Sequence, residues 1–221
     1  MKFKTLYLSV AVAASIGTAN AATFLTSGPY DAPAFEYDSI AGFEAEIHDE
    51  ANAAALDPAD HIFLISNLST TTFQMKEYVW LPSDATDAAN NGVPFIGVGL
   101  EELDPGDWVN GEIIITFSGL NYTGSGAGEF IFWSDSPVET VHFDSSDGAG
   151  DSLNTLAGSH IHYNWGFSDP GTYVITFGIS GTHVTDLLQT GSQTYTFQVV
   201  PEPSSALLAG FGALAMLRRK R

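Results

Sequence analysis

Two histidines spaced one residue apart, His160 and His162, carry the clearest chemical potential in the chain. They sit in HIHYNWGFSDPGTYVITF (160–177), a stretch that reads as strand, Pro-Gly turn and strand. On an extended strand, residues i and i+2 share a face, and their positions lie about 7 Å apart along the chain. Two imidazoles on one face supply half of a metal centre, and further donors must come from a neighbouring strand. His48, beside Asp49 and Glu50 at the end of another strand pattern, is the first choice for a third donor. His61, His142 and His183 rank behind it. Neutral imidazole suits zinc, copper, nickel or manganese, and adjacent carboxylates favour the harder ions of that set. The competing reading is structural: both histidines hydrogen-bonded and holding the hairpin together with Trp165.

Other motifs say less. FDSSDGAGDS (143–152) places Asp144, Asp147 and Asp151 around glycines, but counting an EF-hand loop from Asp147 puts Gly158 where the twelfth-position carboxylate belongs. A flexible acidic turn is the simpler reading. Asn67-x-Ser69 and Asn121-x-Thr123 match glycosylation acceptors. There is no Gly-x-Ser-x-Gly elbow and no P-loop, and no spacing marks a Ser-His-Asp triad. Carboxylate pairs for glycoside hydrolysis cannot be read from sequence. Trp80, Trp108 and Trp133 fit either sugar-stacking platforms or a sandwich core.

The elements that would position these groups are strands. Apolar and β-branched bursts recur between Gly, Asp, Asn, Ser and Pro clusters, at 34–38, 42–48, 61–66, 78–81, 111–119, 128–134, 138–143, 159–167, 171–181 and 192–200. In TYVITFGI, Tyr173, Ile175 and Phe177 share one face; in the last strand Tyr195, Phe197 and Val199 do. No 3.6-residue periodicity competes. The expected fold class is all-β, a two-sheet β-sandwich of Ig-like or jelly-roll-like type. The stretches 83–92, 124–128 and 144–152 read as loops, and 49–57 as a helical turn or two.

The two ends carry addresses. Lys2 and Lys4 precede the apolar LYLSVAVAASIG (6–17), and Ala19 and Ala21 are the small residues a signal peptidase inspects. Residues 1–21 therefore read as a secretory signal peptide for the Sec export machinery, in a helical form. At the other end Pro201, Glu202 and Pro203 precede SSALLAGFGALAML (204–217) and then Arg218, Arg219, Lys220 and Arg221. The prolines stop a helix from running back into the body. The apolar run would be about 21 Å long as a helix, short of the roughly 20 residues that span a bilayer comfortably. The cations would hold the C-terminus on the cytoplasmic side. This is the pattern of a transient inner-membrane anchor, leaving 22–200 as one ectodomain.

Outside the two ends the chain is almost purely anionic. Of seven Lys and Arg only Lys76 lies between Thr23 and Val200, whereas of 26 Asp and Glu only Glu202 lies outside it. Such a surface repels phosphate backbones, which excludes nucleic acid as a partner. Charge this uneven fits an acidic exported protein kept soluble in salt, or one in which some carboxylates hold divalent cations. The chain has no cysteine, so neither disulfides nor thiolate metal sites are available and a full apolar core must hold the fold.

Two resemblances rest on these residues. The tail, with Pro201-Glu202-Pro203, apolar run and basic end in order, resembles the PEP-CTERM sorting signal of Gram-negative bacteria that make an extracellular polysaccharide matrix. That implies an exosortase as partner, cleavage near the motif, and delivery to the cell surface or matrix. The hairpin resembles the hallmark segment of the choice-of-anchor M domain, the surface-anchored protein repeat of actinobacteria. His160, His162, Asn164, Trp165, Phe167, Gly171 and Tyr173 match it, and 43–50, 78–82, 94–103 and 128–133 look like further parts. The resemblance adds weight to metal binding, since some relatives are encoded with metal-type transport systems. The chain departs from that pattern at Gly28-Pro29-Tyr30-Asp31, where proline stands in place of the family's histidine.

Three functions emerge as expectations: a noncatalytic surface or exopolysaccharide-matrix protein; a module binding zinc, manganese or copper through His48, His160 and His162; or a hydrolase of matrix polysaccharide.

Overall fold

The computed structural model describes residues 21–65 and 70–201. The expected signal peptide up to residue 20 and the segment from Glu202 onward, with the terminal helix read at each end, lie outside the described residues. The chain runs through β1 (Thr23–Leu25), β2 (Gly28–Asp38), β3 (Gly42–Asp49), β4 (Ala54–Leu56), β5 (His61–Ile65), β6 (Thr70–Phe73) and β7 (Lys76–Leu81). Helix α1 (Ala85–Asn91) then leads into β8 (Pro94–Gly99), β9 (Trp108–Gly124), β10 (Phe130–Ser134), β11 (Thr140–Asp144) and β12 (Ser152–Leu156). The last strands are β13 (His160–Ile161), β14 (Asn164–Phe167), β15 (Gly171–His183) and β16 (Leu187–Val199).

The expectation of two sheets is corrected. The strands form three: β1-β5-β16-β15-β9-β12, then β11-β10-β14-β7-β6, then β13-β8-β2-β3-β4. The two five-stranded sheets share the task of covering the inner face of the six-stranded one. Trp165 of β14 packs on Phe177 and Phe197 of the large sheet and donates its indole hydrogen to the Ile96 carbonyl of β8 at 3.2 Å. The Tyr195 hydroxyl of β16 donates to the Glu46 carbonyl of β3 at 3.0 Å. The split arises in the hairpin at 159–167, expected as one strand. It breaks after Ile161, so that β13 pairs with β8 while β14 pairs with β7 and β10.

The alternation read from sequence sets the core. Tyr173, Ile175, Phe177 and Ile179 of β15 and Tyr195, Phe197 and Val199 of β16 are buried, with the intervening residues turned outward. The largest fully buried side chains are all aromatic, including Phe35, Phe63, Phe117, Phe130, Phe132, Phe143 and Phe167. They meet edge-on and tilted rather than in parallel stacks in most pairs, which suits the quadrupole of an aromatic ring.

Two local departures have plain causes. The loop expected at 83–92 contains α1, started by the Asp84 carboxylate accepting from Thr86 and Asp87 N–H and ended by Gly92 at φ 62°. The helical turn expected at 49–57 is a turn followed by β4, which pairs back on β3.

Replacing Trp165 with Phe removes buried volume and strands the Ile96 carbonyl. We expect a loss of about 2–4 kcal/mol in urea unfolding. A loss below about 1 kcal/mol would mean that this side chain does not hold the three sheets together.

Candidate metal centre

Three distant segments deliver four donor side chains to one point: Asp31 from β2, Glu50 from the turn after β3, and His160 and His162 from β13 and the residues just after it. One ligand atom from each lies within 4.8 Å of all the others, and this is the one such group of donors among the described residues. β2 brings Asp31 there because its ladder slips between Asp31 and Ala34 against both neighbours, β3 and β8. A bulge of this kind re-aims a side chain. The break after β13 brings the imidazole rings closer than a continuous strand would, with centroids 4.5 Å apart.

Asp31 is the unusual member, at 2% exposure. Its Oδ1 lies 2.8 Å from His160 Nε2, yet the approach lacks hydrogen-bond alignment and Oδ1 has no hydrogen-bond partner. The other nitrogen of His160, Nδ1, meets Glu101 Oε1 at 2.7 Å. The His160 ring thus stands between two carboxylates, with each ring nitrogen within 2.8 Å of an oxygen. Burial pushes the Asp31 carboxyl up to about 6, with Glu101 and Glu50 adding to the rise and His160 opposing it. His162 lies face to face with Phe95, centroids 3.8 Å apart. Burial, and then the neighbouring His160, pull it down to about 4 against weak compensation from the Ile96 backbone. Its Nδ1 is buried without a well-formed hydrogen bond. The imidazole is thus held neutral, as a metal ligand must be.

The spacing approaches that around a small divalent ion. Bonds of 2.0–2.2 Å in a tetrahedron separate the donors by about 3.3–3.6 Å. Glu50 Oε1 to His160 Nε2, at 3.4 Å, falls in that range, while Asp31 Oδ1 to His160 Nε2 is shorter at 2.8 Å and Glu50 Oε1 to His162 Nε2 longer at 3.9 Å. Two imidazoles and two carboxylates form a set that zinc, copper or manganese accepts. The Glu101–His160 contact is the outer carboxylate that commonly fixes a ligating imidazole.

The backbone leaves room for this convergence at one place. A Cβ on Gly97 of β8 would lie 2.4 Å from Asp31 Oδ1, 2.8 Å from His162 Cε1 and 3.0 Å from His160 Nε2. On Gly99 it would meet the Asp31 side chain at 2.8 Å. A cleft of about 210 Å³ opens beside the donors and is lined by Asp31, Glu36, Glu46, His48, Glu50 and Glu101, among others.

The sequence placed His48 as third donor. The structure sets it opposite Asp31 across the β2–β3 ladder, in the cleft wall, with Nδ1 3.2 Å from Glu46 Oε1. It lies outside the four-donor group, whose remaining places fall to Asp31 and Glu50. Glu50 reads in the sequence only as an acidic neighbour of His48, and Asp31 only as the end of the Gly-Pro-Tyr-Asp departure. The one signal for Asp31 is a single acid inside the apolar run Tyr30-Asp31-Ala32-Pro33-Ala34-Phe35. The other histidines have separate partners: His61 Nδ1 the Asp57 carbonyl, His142 Nε2 the Ser134 hydroxyl, His183 Nδ1 the Thr185 hydroxyl.

The remaining hallmark residues serve the fold. Asn164 is buried and fully engaged, accepting from Trp80 Nε1 and Ser83 N–H and donating to Asp135. Trp165 and Phe167 are core. Gly171 lets the backbone pass Tyr122, where a Cβ would meet the ring at 2.5 Å. The Tyr173 hydroxyl donates to the Asp169 carbonyl and accepts from the Asp169 N–H, closing the turn. Trp108 and Trp133 are buried, and Trp80 is half-buried with its indole bound to Asn164, so none of the three offers a free platform for a sugar. Asp144 ends β11 and Asp151 immediately precedes β12, with the Asp144 N–H donated to Asp151.

Residues 199–221 match the family model of the PEP-CTERM protein-sorting motif. No curated protein and no solved structure matches the chain. The tail thus marks an exported protein with a membrane-anchored precursor and an exosortase as processing partner, in the Gram-negative setting of that motif. No helix among the described residues is long and apolar enough to cross a membrane.

Gly97→Ala should destabilise the protein by about 1–3 kcal/mol in thermal unfolding, because Asp31, His160 and His162 and the backbone must move apart. Gly119→Ala, where nothing lies within 4 Å of the added carbon, serves as the control and should change stability little. Equal effects would show that Gly97 is not a packing requirement of the centre.

Proposed function

We propose that this protein is a noncatalytic surface or exopolysaccharide-matrix module that binds one divalent transition metal through Asp31, Glu50, His160 and His162. The observation that carries the reading is the buried Asp31 carboxylate, whose Oδ1 makes no aligned hydrogen bond and lies 2.8 Å from His160 Nε2. A buried acceptor left without a hydrogen bond costs about 1–3 kcal/mol, more when charged, and a cation bound by both groups would offset that cost. A divalent ion would also cancel the charge of the two ligating carboxylates. Zinc, copper and manganese fit this site, since the donors are nitrogen and oxygen without sulfur.

Export and sorting supply the place of action. The signal peptide would direct Sec export and be removed after Ala21. Exosortase would act near Pro201-Glu202-Pro203 while Arg218–Arg221 hold the precursor at the inner membrane. The resemblance to choice-of-anchor M domains is compatible with this reading, and rests on the 160–173 hairpin and the segments upstream of it.

The metal reading is tested by elemental analysis of the exported chain, purified without a histidine tag and exposed to zinc, manganese and copper salts. Near-stoichiometric metal is expected in the wild type, with loss of at least about tenfold in affinity for His160→Ala/His162→Ala and for Asp31→Asn. His48→Ala should keep its metal. A metal-free wild type after all three salts would leave the histidines as structural groups.

The sorting reading is tested in the producing cell by changing Pro201, Glu202 and Pro203 to alanine. The expected result is an unprocessed precursor that fractionates with the inner membrane. Normal release of the variant would mean that sorting does not use this tripeptide.

A further inference from the structure

The walls of the cleft beside the donors carry a second kind of information, which rests on the metal reading. Beyond Asp31 and Glu50 the lining includes Glu36, Glu46, Glu101 and Glu102, and no lysine or arginine. The one source of positive side-chain charge elsewhere in 23–200 is Lys76, apart from histidine, and it is already paired with Glu129. Glu36 and Glu46 reach the cleft from β2 and β3, and Glu102 from the turn after β8, so that three segments bring carboxylates to one opening. Only Asp31 among these acids is deeply buried; Glu36, Glu46 and Glu102 stand at the mouth, within reach of an arriving solute.

We propose that this mouth selects the form in which the metal arrives: hydrated divalent cations enter and are drawn to the donors, while anionic metal chelates and acidic polysaccharide are turned away. A cleft lined by one sign of charge with low-dielectric walls focuses its field outward and raises the association rate of oppositely charged solutes by about 10–10³-fold. The same field opposes an anion, so a complex carrying net negative charge cannot bring its metal into contact with His160. The protein therefore takes metal only after such a complex has dissociated. The selecting residues, Glu36, Glu46 and Glu102, are separate from the four donors.

Cobalt(II) serves as probe, because its visible absorption reports entry into a site of nitrogen and oxygen ligands. Stopped-flow loading of the exported chain with free Co²⁺ should slow at least tenfold between about 10 mM and 500 mM salt. At low salt, Glu36→Gln/Glu46→Gln/Glu102→Gln should load about tenfold more slowly than the wild type. Loading from the anionic cobalt–nitrilotriacetate complex should proceed at a rate independent of protein concentration, set by dissociation of the complex. Salt-independent loading, a triple variant as fast as the wild type, or chelate loading that rises in proportion to protein would each overturn the selection while leaving the metal site intact. Failure of the wild type to bind Co²⁺ at equilibrium would instead overturn the metal reading, and this inference with it.

Discussion

The structure depends on an aromatic core that has no covalent or ionic reinforcement. There is no cysteine to staple three sheets together and one lysine against twenty-five carboxylates between Thr23 and Val200, so ion pairs contribute next to nothing. What remains is apolar burial, at roughly 25 cal/mol for each Å² taken from water. The chain concentrates that burial in large rings. Trp165 touches Phe130 and Phe132 within its own sheet and Phe177 and Phe197 in the large one, and its indole hydrogen reaches the third. One side chain thereby fixes the relative positions of all three sheets, and with them the segments that carry Asp31, Glu50 and the histidine pair.

Set against such a core, Asp31 is costly. A carboxylate at 2% exposure, without a hydrogen bond to one oxygen, lowers stability in a protein that has little to spare. Its surroundings are arranged to keep it there all the same: the ladder slips to aim it, Gly97 and Gly99 leave space for it, and Glu101 turns His160 toward it. Three independent backbone and side-chain features converging on one unfavourable group are hard to ascribe to packing alone. Local rules tend to be broken at functional sites and compensated elsewhere.

The parts of this arrangement legible in the sequence were those with local signatures. Alternation in β15 and β16 gave their buried faces, and the His-x-His pair stood out by spacing. The third sheet was not legible, because β2 and β8 pair in parallel across about sixty residues and register between distant segments leaves no local trace. β8 itself was hidden: Gly97 and Gly99 look like strand breakers, yet their missing side chains are what the centre needs. The choice of His48 as third donor has a similar origin. Asp31 lies at the same rung of the ladder as His48, and neither that pairing nor the slip beyond Asp31 can be read from residue types. The polar reading of 83–92 missed α1 although its cap was visible, with Asp84 three residues before Asp87 and Gly92 at the end.

The acidic surface and the sorting tail bear on one another. A body carrying twenty-five carboxylates is repelled by the anionic headgroups of a membrane as it is by nucleic acid. While the tail holds the precursor at the bilayer, the folded body therefore stands off from it, and only the basic residues beyond the apolar run favour the lipid surface. The same repulsion acts within the body: Glu36 is shifted upward by burial and by Glu46, Glu44 and Glu102 around it. Carboxylates crowded in this way weaken a fold unless cations are near, either as diffuse counter-ions or bound. An exported protein meets a medium whose divalent cations are not buffered by the cell, and in that medium each cation drawn to the cleft relieves charge that the core would otherwise have to offset. Under the proposed metal reading, stability and cation binding would pull in the same direction, and an exported chain without disulfides would gain from so uneven a charge.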